Sequence, residues 1–206
     1  MAAAAPAATV NFLAHLYLSP PLPEAWLGSL LGDFVKGPVE AAGVGPAVAD
    51  AIRLHRAVDR FTDAHATVLA AKARFAPGAR RFAGVVLDVA FDHFLARDWQ
   101  RHHHLPLERF ASQVYAALQR APQPLPERFT GMLPHMVSQD WLVSYREPAG
   151  AQRALQGMSR RLTRGTGLLA AAAELHARYS DIEADFHRFF PALRSAFPMA
   201  GENPIA

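Results

Sequence analysis

Between Val85 and Leu95 the chain is apolar on almost every side of a helix, and only Asp88, Asp92 and His93 interrupt it. A helix apolar all round belongs in the interior, so this stretch predicts a central buried helix, read over about residues 80–102. Spacing by four puts Asp88 and Asp92 on one face, a turn apart. Two carboxylates placed so repel, and burial raises the penalty, unless a proton or a cation holds them together. Pairing with arginine is the ordinary solution; a shared metal ion is the sharper one.

Composition sets the frame for that choice. The 206 residues are 51% apolar and 19% charged, a globular balance and enough chain for a substantial core. With no cysteine, disulfides, thiolate nucleophiles and cysteine zinc sites are excluded, which points to an intracellular, cytoplasmic protein. Charges break the apolar runs short of the ~18–20 residues a membrane span needs. Met1 to Val10, alanine-rich without a basic region, reads as a disordered leader rather than a signal peptide, and residues 199–206 as a disordered tail. A net charge of +3 leans toward an acidic partner. Neither nucleic acid nor membrane is expected as a partner, and the oligomeric state is left open.

From 11 to 198 the chain reads as helix after helix, one all-α domain. Helices are expected over Asn11–Leu18, Glu24–Val35, from Ala47, from a cap at Thr62 or Asp63 to Phe75, over Leu107–Leu118, over Phe129–Tyr145 with an interruption at Pro134, over Ala149–Leu162 and over Leu168–Phe190. No stretch alternates with period two and no fixed repeat appears, so no sheet is expected.

Against this background, acids and histidines of the first half recur at helical spacing. His55 and Asp59 stand one turn apart, with Asp63 a further turn along; Asn11 and His15 are also four apart. Asp33 follows Leu30-Leu31-Gly32 at a helix C-terminus, where an anion is disfavoured unless something rewards it. A cation shared with the other acids does so. Imidazole nitrogen plus carboxylate oxygen, without sulfur, suits Mn2+ or Mg2+ ahead of Fe2+ or Zn2+. Such sites commonly hydrolyse phosphate esters; Arg56 and Lys36 are placed to hold the phosphate, and an uncoordinated histidine can act as acid or base.

Asn11-Phe12-Leu13-Ala14-His15-Leu16, Gly32-Asp33-Phe34-Val35-Lys36-Gly37, His55-Arg56-x-x-Asp59-x-x-Thr62-Asp63 and Leu87-Asp88-Val89-x-x-Asp92-His93-Phe94-Leu95 together resemble the bacterial acyl carrier protein phosphodiesterase family, also called ACP hydrolyase. Trp99, Trp141-Leu142-Val143-x-Tyr145-Arg146 and Met158-Ser159-Arg160-Arg161 echo it, so the resemblance runs from about Asn11 to Pro191. It implies an all-α fold distantly similar to HD-type phosphohydrolases and a Mn2+-dependent enzyme. The implied reaction cleaves the phosphodiester that joins 4'-phosphopantetheine to a serine of acyl carrier protein. The adjacent pair reads Asp92-His93 here, not the His-Asp of ordinary HD domains.

Residues and resemblance leave a definite expected site. The metal falls to Asp33, His55, Asp59, Asp88 and Asp92; catalysis to His15, Arg56, Asp63 and His93; substrate contact to Asn11, Lys36, Trp99, Arg97 and Arg101. Arg56, Arg60, Arg80, Arg81, Arg97 and Arg101 are expected to flank it and steer an acidic carrier protein. His102-His103-His104 reads as a solvated helix end, since neighbours on a helix point about 100° apart, and Arg160, Arg161 and Arg164 as a basic face. Two competing readings remain: an HD-type hydrolase of a small phosphodiester or nucleotide, and a non-catalytic helical interaction protein whose acids pair with Arg53, Arg56 and Arg60.

Overall fold

The computed structural model of the chain describes residues 12–122, 124–160 and 165–198. The expected leader, Asn11, Arg161, Arg164 and the expected tail lie outside the described residues. Among those described, every regular element is helical and none is a strand. No helix there is long and apolar enough to cross a membrane.

Five helices make the first half: α1 (Phe12–Tyr17), α2 (Pro23–Leu31), α3 (Pro46–Ala64), α4 (Ala66–Ala73) and α5 (Ala83–Arg97). Six follow: α6 (Leu107–Gln119), α7 (Glu127–Ser138), α8 (Trp141–Ser144), α9 (Pro148–Ser159), α10 (Gly165–Ala177) and α11 (Tyr179–Ala196). The central helix is where the apolar run put it. Every residue of α5 from Val86 to Ala96 is buried, and it packs against α1, α4, α9, α10 and α11. One continuous core runs from Phe12 to Leu193.

The closest pairing is α2 on α3, and glycine permits it. A side chain at Gly28 would meet the Val48 carbonyl oxygen at 2.4 Å and the Ala51 Cβ at 2.6 Å. The two backbones therefore pack without an intervening side-chain layer, and the buried stripe of α3 faces α2 through Val48, Ala51, Ile52 and His55.

Element ends differ from expectation for identifiable reasons. α3 runs past Thr62 and Asp63 to Ala64, and the next helix is capped instead by His65, whose Nδ1 accepts from the Thr67 N–H at 3.2 Å. α5 is shorter than the expected span because 3-10 turns flank it at Arg80–Phe82 and Trp99–Arg101. Pro134 does not interrupt α7, whose Phe129, Met132, Leu133 and Met136 are held in the core on both sides of it. The break falls at Asp140, in the left-handed region with φ 45°. There Tyr115 donates to the Asp140 carboxylate at 3.0 Å and accepts from the Leu142 N–H at 2.9 Å. The expected last helix is two, α10 and α11, divided at Arg178 without a glycine or proline.

Candidate metal centre

Three side chains from two helices converge. His15 comes from α1, the shortest of the elements around it; His55 and Asp59 stand a turn apart on α3. The Asp59 carboxylate lies between two imidazoles, Oδ1 at 3.2 Å from His15 Nε2 and Oδ2 at 3.2 Å from His55 Nε2. The rings stack with centroids 3.8 Å apart. One ligand atom from each residue lies within 4.8 Å of the others. Both histidines are 2% exposed, whereas the Asp59 side chain is 31% exposed, so the cluster opens to solvent on the carboxylate side.

Tautomer and missing partners say what the cluster suits. His55 Nδ1 lies 2.7 Å from the Ser29 carbonyl oxygen, which only accepts, so Nδ1 carries hydrogen and Nε2 of the neutral ring presents its lone pair to the cluster. That is the arrangement in which backbone carbonyls hold metal-ligating histidines. Both His15 nitrogens and Asp33 Oδ2 are buried without a hydrogen bond. Buried polar atoms are rarely left so, and a divalent cation between His15, His55 and Asp59 would take up the His15 nitrogen that faces Asp59. The donor set fits a metal.

The charges are tightly linked. Burial lowers His15, and the neighbouring His55 lowers it further, against the pull of Asp59. Burial also opposes charge on His55, but Asp33 and Asp59 outweigh it and raise that ring to about 9. Asp59 is held well below the carboxylate range, because His15 and His55 overcome its burial. Asp33, in the turn after α2, brings Oδ1 to 3.7 Å from His55 Nε2. Asp88 is buried on α5; burial and then the field of Asp59 drive it well above the carboxylate range, with Lys72 pulling the other way.

The remaining expected residues divide by location. Asp92 is fully buried, and its two oxygens accept from the N–H groups of Leu13 and Ala14 at 2.8 and 2.9 Å. It therefore anchors the start of α1, the helix that carries His15. Burial pushes Asp92 up to about 8, even though the two N–H donors favour the anion. Arg56 turns to the loop after α2 and bonds the carbonyls of Val35 and Gly37 at 2.8 and 2.9 Å. Arg53 pairs with Asp50 and Glu40. Neither arginine neutralises the cluster acids. Asp63 is exposed and paired with Lys72 at 2.6 Å.

Three expected residues are not brought to the cluster. His93 leaves α5 on another face, with Nδ1 2.7 Å from the Tyr145 carbonyl oxygen and Nε2 2.7 Å from the Tyr179 hydroxyl; it borders a cavity of about 260 Å³ between α9, α10 and α11. Trp99 is a core residue whose Nε1–H donates to Leu105 O at 2.8 Å. Arg97 is occupied by Asp98 and Glu183. Lys36, Arg60 and Arg101 are exposed, with no ion pair among the described residues.

A family model described as acyl carrier protein phosphodiesterase matches residues 10–193. The chain belongs to the acyl carrier protein phosphodiesterase family. A protein of that name from Enterobacter sp. (strain 638) is 37% identical over 186 residues, covering 89% of this chain and 95% of the relative. One from Klebsiella pneumoniae (strain 342) is 38% identical over 188 residues with the same coverage. Another from Photorhabdus laumondii is 35% identical over 187 residues, covering 88% and 92%. No solved structure matches significantly. Membership makes this an enzyme, a phosphodiesterase, and the whole His15–His55–Asp59 cluster lies inside the matched span. Sequence reasoning passed over Lys72, which appears in no motif but pairs with exposed Asp63 from α4 and whose charge is felt at buried Asp88. It also passed over Ser29, and it gave no role to Gly32 although that residue opens a quoted motif; both lie against His55.

Proposed function

We propose that this chain is a metal-dependent hydrolase that removes 4'-phosphopantetheine from holo acyl carrier protein to give the apo protein. The observation that carries this is the buried pair of imidazoles around the Asp59 carboxylate, with His15 left without a hydrogen bond at either nitrogen. His15, His55 and Asp59 would hold the cation, with Asp33 beside His55 at 3.7 Å and Asp88 within the field of Asp59. Nitrogen and oxygen donors without sulfur favour Mn2+, with Mg2+, Fe2+ or Zn2+ behind it. A bound cation of this kind neutralises phosphoryl oxygens and acidifies a coordinated water.

The protein's own groups supply the rest. Asp92 fixes His15 by holding the start of α1, and Ser29 fixes the His55 tautomer. Lys72, whose charge acts on Asp88, with exposed Lys36 and Arg60, would receive the phosphodiester anion. In the reaction a water oxygen forms a bond to phosphorus and the bond from phosphorus to the seryl oxygen breaks. The seryl oxygen takes a proton, and the phosphate leaves on pantetheine. The attacking water loses the proton that balances this one, so the hydrolysis consumes no further acid.

The test is mass spectrometry of holo acyl carrier protein incubated with the enzyme and Mn2+. The expected result is loss of the phosphopantetheine mass from the carrier and recovery of the free arm bearing its phosphate. Turnover that survives complete chelation of divalent cations would end the metal reading. Cleavage confined to small phosphodiesters would end the carrier-protein reading.

A further inference from the structure

Gly32 has no backbone reason to be glycine. It closes α2 with φ −51° and ψ −37°, right-handed values open to any residue. What excludes a side chain is the metal-centre histidine. A Cβ on Gly32 would lie 2.3 Å from both Cγ and Cδ2 of His55 and 2.7 Å from its Nδ1. The His55 ring thus lies flat against the bare backbone of α2, with the His15 ring stacked on its other side at 3.8 Å.

A chain of buried hydroxyls ties the two rings' supports together. Ser19 donates to the His15 carbonyl oxygen at 2.8 Å. Its one hydroxyl proton being used there, it accepts from Ser29, with which it is in close contact. The Ser29 carbonyl oxygen in turn accepts His55 Nδ1–H at 2.7 Å. Both serines are nearly inaccessible to solvent. The path runs from the His15 backbone through two side chains to the His55 ring, and α2 is its centre.

We infer that Gly32 and the Ser19–Ser29 pair are positioning residues that clamp His15 and His55 at the spacing the cation requires. The inference rests on the metal-centre reading above and deepens it. Gly32 sets the depth to which the His55 ring can sink, Ser29 sets its rotation and tautomer, and Ser19 sets the height of His15 on α1. None of the three touches metal or substrate. Displacing a ligand or removing its outer hydrogen bond commonly weakens metal affinity 10–100-fold, and the Gly32 clash is large enough that the ring must move.

The experiment is Mn2+ titration of the full-length protein by calorimetry, with thermal unfolding and long-range proton–nitrogen NMR of the imidazoles measured on the same samples without added metal. Gly32→Ala is expected to weaken Mn2+ binding about 100-fold and to change the His55 ring shifts, and Ser19→Ala to weaken it about tenfold. Leu155→Ala, a core truncation on α9 bordering the cavity beyond α5, is the destabilised control. It should lose melting temperature and keep its Mn2+ affinity within about twofold. Wild-type affinity in both Gly32→Ala and Ser19→Ala would overturn the clamp while leaving the metal centre standing, as would losses that merely follow melting temperature across all three variants. Should Gly32→Ala fail to fold, Ser19→Ala decides the matter on the same criteria. A wild type that binds no Mn2+ overturns the metal reading itself, and the clamp with it.

Discussion

Metal uptake should expel a proton from His55. Burial works against charge on that ring, but Asp33 and Asp59 dominate and raise it to about 9. His15 is lowered and Asp59 is held well below its usual range, so those two already have the form a metal ligand needs at pH 7. His55 does not. At pH 7, about two units below its pKa, roughly one ring in a hundred is neutral, which penalises binding by about 2.7 kcal/mol at 1.36 kcal/mol per unit. The dissociation constant for Mn2+ should therefore fall about tenfold from pH 7 to pH 8 and level off toward pH 9. Calorimetry in two buffers of different ionisation enthalpy reads the second signature, about one proton released per Mn2+ at pH 7. The sign is fixed by geometry: a ring raised by carboxylates must lose its proton to a cation, never gain one. An affinity flat between pH 6.5 and 8, with no proton released, would refute the assignment of His55 Nε2 as a ligand.

Other outcomes follow from single contacts. Asp92→Ala removes both acceptors from the buried start of α1 and should cost about 2–4 kcal/mol, read as a fall of roughly 10 °C in Tm; unchanged Tm would mean α1 does not depend on that carboxylate. Lys72→Met should raise KM for holo carrier protein about tenfold with kcat nearly kept, as loss of a charge-assisted phosphate contact implies; a pure loss of kcat would place Lys72 elsewhere in the chemistry. Raising salt well above physiological strength should lower kcat/KM on the acidic carrier several-fold more than on a small phosphodiester, since steering is screened over a Debye length of about 8 Å at physiological ionic strength. Equal sensitivity of the two substrates removes steering by exposed groups such as Lys36, Arg60 and Arg101.

What the sequence disclosed and what it hid follow one physical division. Periodicity is local, so the helical class was legible along residues 11–198 and the burial of α5 from Val85 to Leu95 alone. The turn-apart pair His55 and Asp59 was legible for the same reason. Asp92 shows the limit. Its spacing from Asp88 is real, but what it faces is the start of α1, and nothing near Asp92 in the chain announces a contact 79 residues away. Arg97 looked free beside the site because its partner Glu183 arrives from α11. His93 sits next to Asp92 in sequence yet about 100° round the helix, which sent it to Tyr145 and Tyr179. The division at Arg178 has no glycine or proline to mark it, because packing and not chain chemistry changes the direction there.

The six residues of α1 have a consequence for how the protein matures. A helix of that length does not persist in isolation, and its first turn is closed by a carboxylate 79 residues downstream. During synthesis His15 is made before α5 and has no fixed address until α5 has been made and has docked. If the proposed centre binds a cation, that cation would not be the seed around which this chain folds, as zinc is in small finger domains. Long loops must close first, which is slow relative to local helix formation. Cation capture should be among the last events, and a chain truncated before Asp92 should hold Mn2+ no better than an unfolded peptide does.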